Sequence, residues 1–171
     1  MFFGKSFSSF TCDSITMNAK ALEFVPEWNY LGIVIRSSSN FSCSLKKCIS
    51  SYYCSVNTIL NVVRKPTEIV LMKLLYSISI PILTYACDVK VFTSREMTRL
   101  HVATNDAIRK IFTYNRWESV RTLREGLGYK SVTEIFASRK TTFECNLPCL
   151  GNATLSYLYR TFDFISLFIL L

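Results

Sequence analysis

The sequence predicts an α+β fold that is mainly α, with a short N-terminal antiparallel β element feeding four or five packed helices. Three observations carry this. Tyr30-Leu31-Gly32-Ile33-Val34-Ile35 is rich in β-branched residues and is bounded by polar Ser37-Ser38-Ser39-Asn40. From Leu45 onward apolar residues recur at steps of three and four, the period of one helix face. Helix breakers and caps then divide the remainder into pieces of helical length: Pro66, Thr93-Ser94, Gly126-Leu127-Gly128 and Ser131-Val132-Thr133-Glu134. With half of its 171 residues hydrophobic and only 5 Gly and 4 Pro, the chain has the material for one core, in one domain or in two small subdomains sharing it, and disorder is not expected for most of it.

Met1 to Phe10 mixes aromatics with serine, and Ile15 to Val25 alternates loosely around the turn-prone Asn18-Ala19-Lys20. With the run at 30–35, these make two or three short strands followed by a loop. The period changes from Phe41. Leu45, Ile49, Tyr52, Tyr53, Val56, Ile59, Leu60 and Val63 mark one face of a helix of about six turns. Arg64 and Lys65 suit the negative end of its dipole, and Pro66 stops it. Thr67-Glu68 opens a second helix towards Tyr85, expected to kink or break near Pro81 and, being almost uniformly apolar, to be enclosed on most sides.

A third helix follows Thr93-Ser94, with Ser94 as its expected cap and Met97, Leu100, Thr104, Ala107, Ile108 and Ile111 as its apolar face. A short fourth spans Ser119 to Glu125 and ends at the double glycine. The capping-box pattern at Ser131 and Glu134 starts a fifth that reaches about Cys145, and Asn146 to Asn152 reads as a turn. No repeat, low-complexity tract or flexible linker divides the chain.

Twenty Lys and Arg against 12 acids give a formal charge of +8, a field that favours polyanions, nucleic acid first and an anionic membrane surface second. Ile69 to Leu83 is apolar but contains Lys73 and Pro81, and it falls short of the roughly 20 residues needed to span a bilayer. A buried helix is the expectation there. The tail 162–171 is also too short, so membrane association is the lesser alternative, through these two segments. Seven cysteines at irregular spacings, with no signal-peptide pattern at Met1 to Lys5, read as free thiols in a reducing, intracellular setting, nuclear or cytoplasmic.

Catalytic patterns are missing. Nucleotidyl transfer needs two metals held between paired carboxylates, yet Asp13, Asp88, Asp106 and Asp163 are scattered and read as surface or cap positions. His101 is the only histidine and reads as a surface or satisfied helical residue. Cys43, Cys48 and Cys54 point in different directions on one helix, and Cys145 and Cys149 straddle a proline, so neither set reads as a zinc site. The expectation is no catalytic residue, no metal, no cofactor and no small-molecule substrate.

One arrangement is more specific. Phe24-Val25-Pro26-Glu27-Trp28-Asn29-Tyr30-Leu31-Gly32 is followed about forty residues on by a hydrophobic run ending in Pro81-Ile82-Leu83-Thr84-Tyr85. Asn105, Ile108-Arg109-Lys110-Ile111-Phe112 and the stretch from Ser131 to Asn146 continue the pattern. Over roughly Phe24 to Asn152 this resembles the C-terminal part of the reverse transcriptase of LINE-type, jockey-like non-LTR retrotransposons. A departure stands at Ala86-Cys87-Asp88-Val89-Lys90, where the family usually has a Gly, a small residue and a Trp.

The resemblance implies a remnant of the palm with a primer-grip-like turn over residues 1–36, thumb-like helices over 37–112, and a helical connection with an apolar tail over 113–171. It implies that Trp28, Tyr30, Leu31 and Gly32 lie where a primer end is supported, although Tyr-Leu-Gly also reads as the start of a strand packed under the helices. It implies a template-primer duplex, RNA or DNA, as partner, with Lys46, Lys47, Arg64, Lys65, Arg109 and Lys110 meeting the nucleic-acid backbone. Lys110 and Arg109 head a basic second half with Arg116, Arg121, Arg124, Lys130, Arg139 and Lys140. The parent enzyme is an RNA-directed DNA polymerase that needs Mg, and its aspartate pair has no counterpart in this sequence, so this chain alone is expected to be inactive.

Overall fold

A computed structural model describes residues 15–37, 42–62, 66–88, 92–149, 151–152 and 154. The architecture is α+β and mainly helical, with short antiparallel strands at the N-terminal side. The chain divides into two compact units, Met1–Lys47 and Cys48–Leu171.

The first unit is built on two hairpins. Strand β1 (Thr16–Met17) pairs with β2 (Lys20–Ala21) across a turn in which Asn18 and Ala19 both have positive φ, 51° and 62°. Strand β3 (Glu27–Tyr30) pairs with β4 (Ile33–Arg36) in the register Tyr30 to Ile33 and Trp28 to Ile35. Its two-residue turn is Leu31-Gly32, at φ 48° and 80°. Two positive φ values in succession match the twist of the flanking strands, which is why glycine belongs at the second position. The apparent run from Tyr30 to Ile35 is thus the end of one strand, a turn and the start of the next.

Ser42–Cys43 forms a third strand, β5, on the other edge of β4, with Ile35 opposite Cys43. The helical period, read from Leu45, takes hold at Lys46. The Ser44 N–H still donates to the Val34 carbonyl at 2.8 Å, so sheet bonds hold the backbone until Lys46.

Helix α1 (Lys46–Val62) buries Tyr52, Val56 and Ile59, with Ile49, Tyr53 and Leu60 half-buried beside them. It is 17 residues long, shorter than six turns, and Val63, Arg64 and Lys65 lie outside the described residues. The next stretch is continuous through Pro81: α2 (Glu68–Leu74), a π-helical segment (Leu75–Ser79) and α3 (Ile80–Leu83). A proline ring clashes with the carbonyl four residues back in an ordinary helix. The widened turn immediately before Pro81, where the Ile80 N–H reaches the Leu75 carbonyl, relieves that conflict, so of the expected kink or break the helix shows a local distortion and no break. Nor is the segment enclosed on most sides: Leu71, Met72, Leu75, Ser79, Ile80 and Leu83 are buried, while Ile69, Val70 and Ile78 are exposed.

Helix α4 (Ser94–Phe112) packs against both α2 and α6 (Val132–Asn146). Its buried face is Leu100, Ala103, Thr104, Ala107, Ile108 and Ile111. Its cap is Thr93, one residue before the expected Ser94. The Thr93 hydroxyl accepts from the Glu96 N–H while the Glu96 carboxylate accepts from the Thr93 N–H, a reciprocal capping box. The same box stands at Ser131 and Glu134, where it was expected. Between them lies the short α5 (Arg121–Gly126), and a 3-10 turn (Leu147–Cys149) follows α6. The helices on either side of residue 112 belong to one unit with one core, centred on Tyr52, Met72, Leu75, Leu83, Leu100 and Ile108.

Candidate nucleic-acid interface

The β3–β4 hairpin sorts its side chains by strand alternation. Trp28 and Tyr30 share one face with Ile33 and Ile35, and Glu27 and Arg36 pair on the other at 2.6 Å. Trp28, Tyr30 and Leu31 are each more than half exposed, and Gly32 lies in the turn beside them. Tyr30, Leu31 and Gly32 thus form the tip of the hairpin, while Trp28 stands on the same face as Tyr30 but further along β3, opposite Ile35. Leu31 adopts a left-handed backbone that costs a branched residue on the order of 1 kcal/mol.

The expected backbone contacts divide. Lys46 and Lys47 stand exposed in the first turn of α1, and Arg64 and Lys65 lie outside the described residues. Lys110 is exposed at the end of α4 with its Nζ 5.8 Å from the centre of the Tyr53 ring, a cation–π contact. Burial, followed by the nearby Asp106 charge, pushes the Tyr53 phenol up from its ordinary value. Tyr52, its neighbour in sequence, is core: fully buried, its phenol pushed up by desolvation and opposed by the Thr104 side chain, with no hydrogen-bond partner at bonding distance from its hydroxyl.

Arg109 is tied down internally. Its Nε donates to the Glu118 carbonyl at 3.0 Å and its Nη1 pairs with Asp106 at 3.1 Å. Arg139, Arg121 and Lys140 show the same tendency. Arg139 grips both carboxylate oxygens of Asp88 at 3.2 and 3.3 Å and donates to the buried Thr84 hydroxyl at 3.0 Å. Asp88 is thereby a tether rather than a surface acid, and the adjacent Cys87 thiol is pushed up to about 11 by burial and then by the Asp88 charge. Arg121 pairs with Glu125 at 2.8 Å, and Lys140 lies 4.0 Å from Glu144.

Arg124 is buried, with its Nε unpartnered and its guanidinium 4.0 Å from Glu125. It sits near Tyr76, whose ring stacks on Tyr129 at 4.2 Å and whose hydroxyl donates to the Lys130 carbonyl at 2.9 Å. Burial pushes that phenol up to about 12, and Arg124 opposes the shift. His101 is satisfied, 3.2 Å from the Thr133 hydroxyl. Among the described residues no group of three or more His, Cys, Asp or Glu is placed to hold a metal ion, and no helix is long and apolar enough to cross a membrane.

One exposed group was not singled out by sequence reasoning. Trp117 is 84% exposed in the turn between α4 and α5, beside exposed Arg116 and Tyr114. Its only local signal is an Asn and a Glu three residues apart at positions 115 and 118. No family model, no curated protein and no solved structure matches the chain.

Proposed function

We propose that the chain is part of a LINE-type, non-LTR retrotransposon reverse transcriptase and binds RNA or DNA without reading sequence, through its hairpin tip and exposed lysines. The observation that supports this best is one hairpin that exposes Tyr30 and Leu31 beside Gly32 at its turn and Trp28 further along the same face, the four residues that the family resemblance assigns to the primer end. Aromatic rings offer faces on which bases stack regardless of identity, and a glycine lets a strand approach the backbone. Lys46, Lys47 and Lys110 supply mobile cations for phosphates, whereas Arg109 and Arg139 hold the fold and contribute little to binding.

Filter binding with a short RNA duplex carrying a single-stranded end, over a salt series, tests the reading. Affinity is expected to fall steeply with salt, as counterion release requires. Salt-independent retention, or none at low salt, contradicts it.

A further inference from the structure

Trp117 is the most exposed large apolar side chain among the described residues, yet the turn that carries it is held at four points. The Glu118 N–H donates to the Asn115 carbonyl at 3.1 Å, closing a four-residue turn with Arg116 and Trp117 at its tip. The Glu118 carboxylate accepts from the Asn115 N–H at 3.1 Å and from its side-chain Nδ2 at 3.0 Å. The Glu118 carbonyl in turn accepts from Arg109 Nε at 3.0 Å. The chain enters from Thr113 in the left-handed region, with the Tyr114 N–H bonded to the Arg109 carbonyl at 2.9 Å. An indole presented on a braced turn loses little freedom when something stacks on it.

Charge narrows what that is. Both nearby carboxylates are occupied, Glu118 within the turn and Asp106 on Arg109. Arg116 has no carboxylate partner among the described residues, and Lys110 one turn earlier faces an aromatic ring rather than an acid. The tip thus carries an exposed indole next to an arginine that no carboxylate compensates, which fits a base attached to a phosphate. We propose that the Asn115–Glu118 turn is a second contact for single-stranded nucleic acid, with Trp117 stacking on an unpaired base and Arg116 meeting the adjoining phosphate. This rests on the nucleic-acid reading above but uses neither the hairpin nor α1.

The test is fluorescence anisotropy of a labelled oligouridylate of about 12 nucleotides with the full chain, Trp117→Ala, Trp117→Phe and Arg116→Ala, each checked for unchanged far-ultraviolet circular dichroism. Trp117→Ala should weaken binding about tenfold or more, and Trp117→Phe should restore most of it, because stacking needs only an aromatic face. Arg116→Ala should reduce the slope of log affinity against log salt by about 0.7. If the chain binds but Trp117→Ala binds equally, or Phe fails to restore, the inference is overturned and the function reading stands. Absence of any binding by the wild type overturns both. Cosedimentation with phosphatidylserine vesicles that depends on Trp117, when oligonucleotide binding does not, also overturns the inference, in favour of a membrane surface.

Discussion

The β unit and the helical unit spend their apolar residues in opposite ways. From residue 15 to 37 no side chain is buried, and Ile15, Met17, Leu22, Phe24, Trp28, Tyr30 and Leu31 all stand exposed. In the helical unit residues of the same types, Tyr52, Met72, Leu75, Leu83 and Leu100, are almost wholly removed from water. The hairpins hold their shape through turn geometry and strand pairing, whereas the helices hold theirs through packing on α4. Aromatic residues kept in water, along the β3–β4 hairpin and at Trp117 in the helical unit, are available for binding; the buried ones form the scaffold.

The contrast can be broken most forcefully in the core. Tyr52→Ala should cost about 3 to 5 kcal/mol in urea unfolding, the usual range for emptying a large aromatic site, while Trp28→Ser or Tyr30→Ser should change stability by less than about 0.5 kcal/mol. Equal losses at Tyr52 and Tyr30 would erase the distinction. Tyr52→Phe sharpens it: the hydroxyl has no partner, so its removal should be close to neutral or stabilising.

A smaller effect separates tethering cations from binding ones. Arg139→Ala should lower stability by about 1 kcal/mol, since Asp88 and Thr84 lose their donor, and should leave oligonucleotide affinity nearly unchanged. Lys110→Ala should do the reverse.

The capping box of α6 gives a pH-dependent test. The backbone N–H of Ser131 and then its hydroxyl hold the Glu134 carboxyl below its ordinary value. Its folded value being depressed, its contribution to stability is complete above the unfolded value and disappears as pH falls through the folded one. The stability difference between wild type and Glu134→Gln should therefore shrink on acidification, and a difference constant with pH would remove the carboxylate from the account. The smallest effect is expected at Leu31→Asn, which suits the first position of its turn and should stabilise the hairpin by up to about 1 kcal/mol, read as slower amide exchange across Tyr30 to Ile33.

Local chemistry was legible in the sequence and distant pairing was not. The Ser131 and Glu134 box needs only residues three apart, and it stands where the pattern puts it. Thr93 and Ser94 are both competent caps, so the choice between them rested on Glu96 reaching back to Thr93. Two strand fragments around Leu31-Gly32 read as one because each half is β-branched or aromatic, and the turn lies in backbone angles that composition does not display. The π-helical segment has no compositional mark beyond Pro81 itself. Among the site residues, Tyr30, Leu31 and Gly32 meet at the hairpin turn with Trp28 further along the same face, but counting basic residues overstated the free charge. Arg109, Arg121 and Arg139 find acids or carbonyls, and Arg124 is buried, through contacts that only the folded chain creates.

Amide hydrogen exchange of the full chain, with and without a saturating single-stranded RNA at low salt, tests the central claim most directly. Free protein should exchange fast at Glu27 to Arg36 and slowly in α1 and α4, and RNA should slow exchange at the hairpin tip and the start of α1, with little change across the buried face of α4. Unchanged exchange at the hairpin under saturating RNA, or protection confined to the helical core, would contradict it.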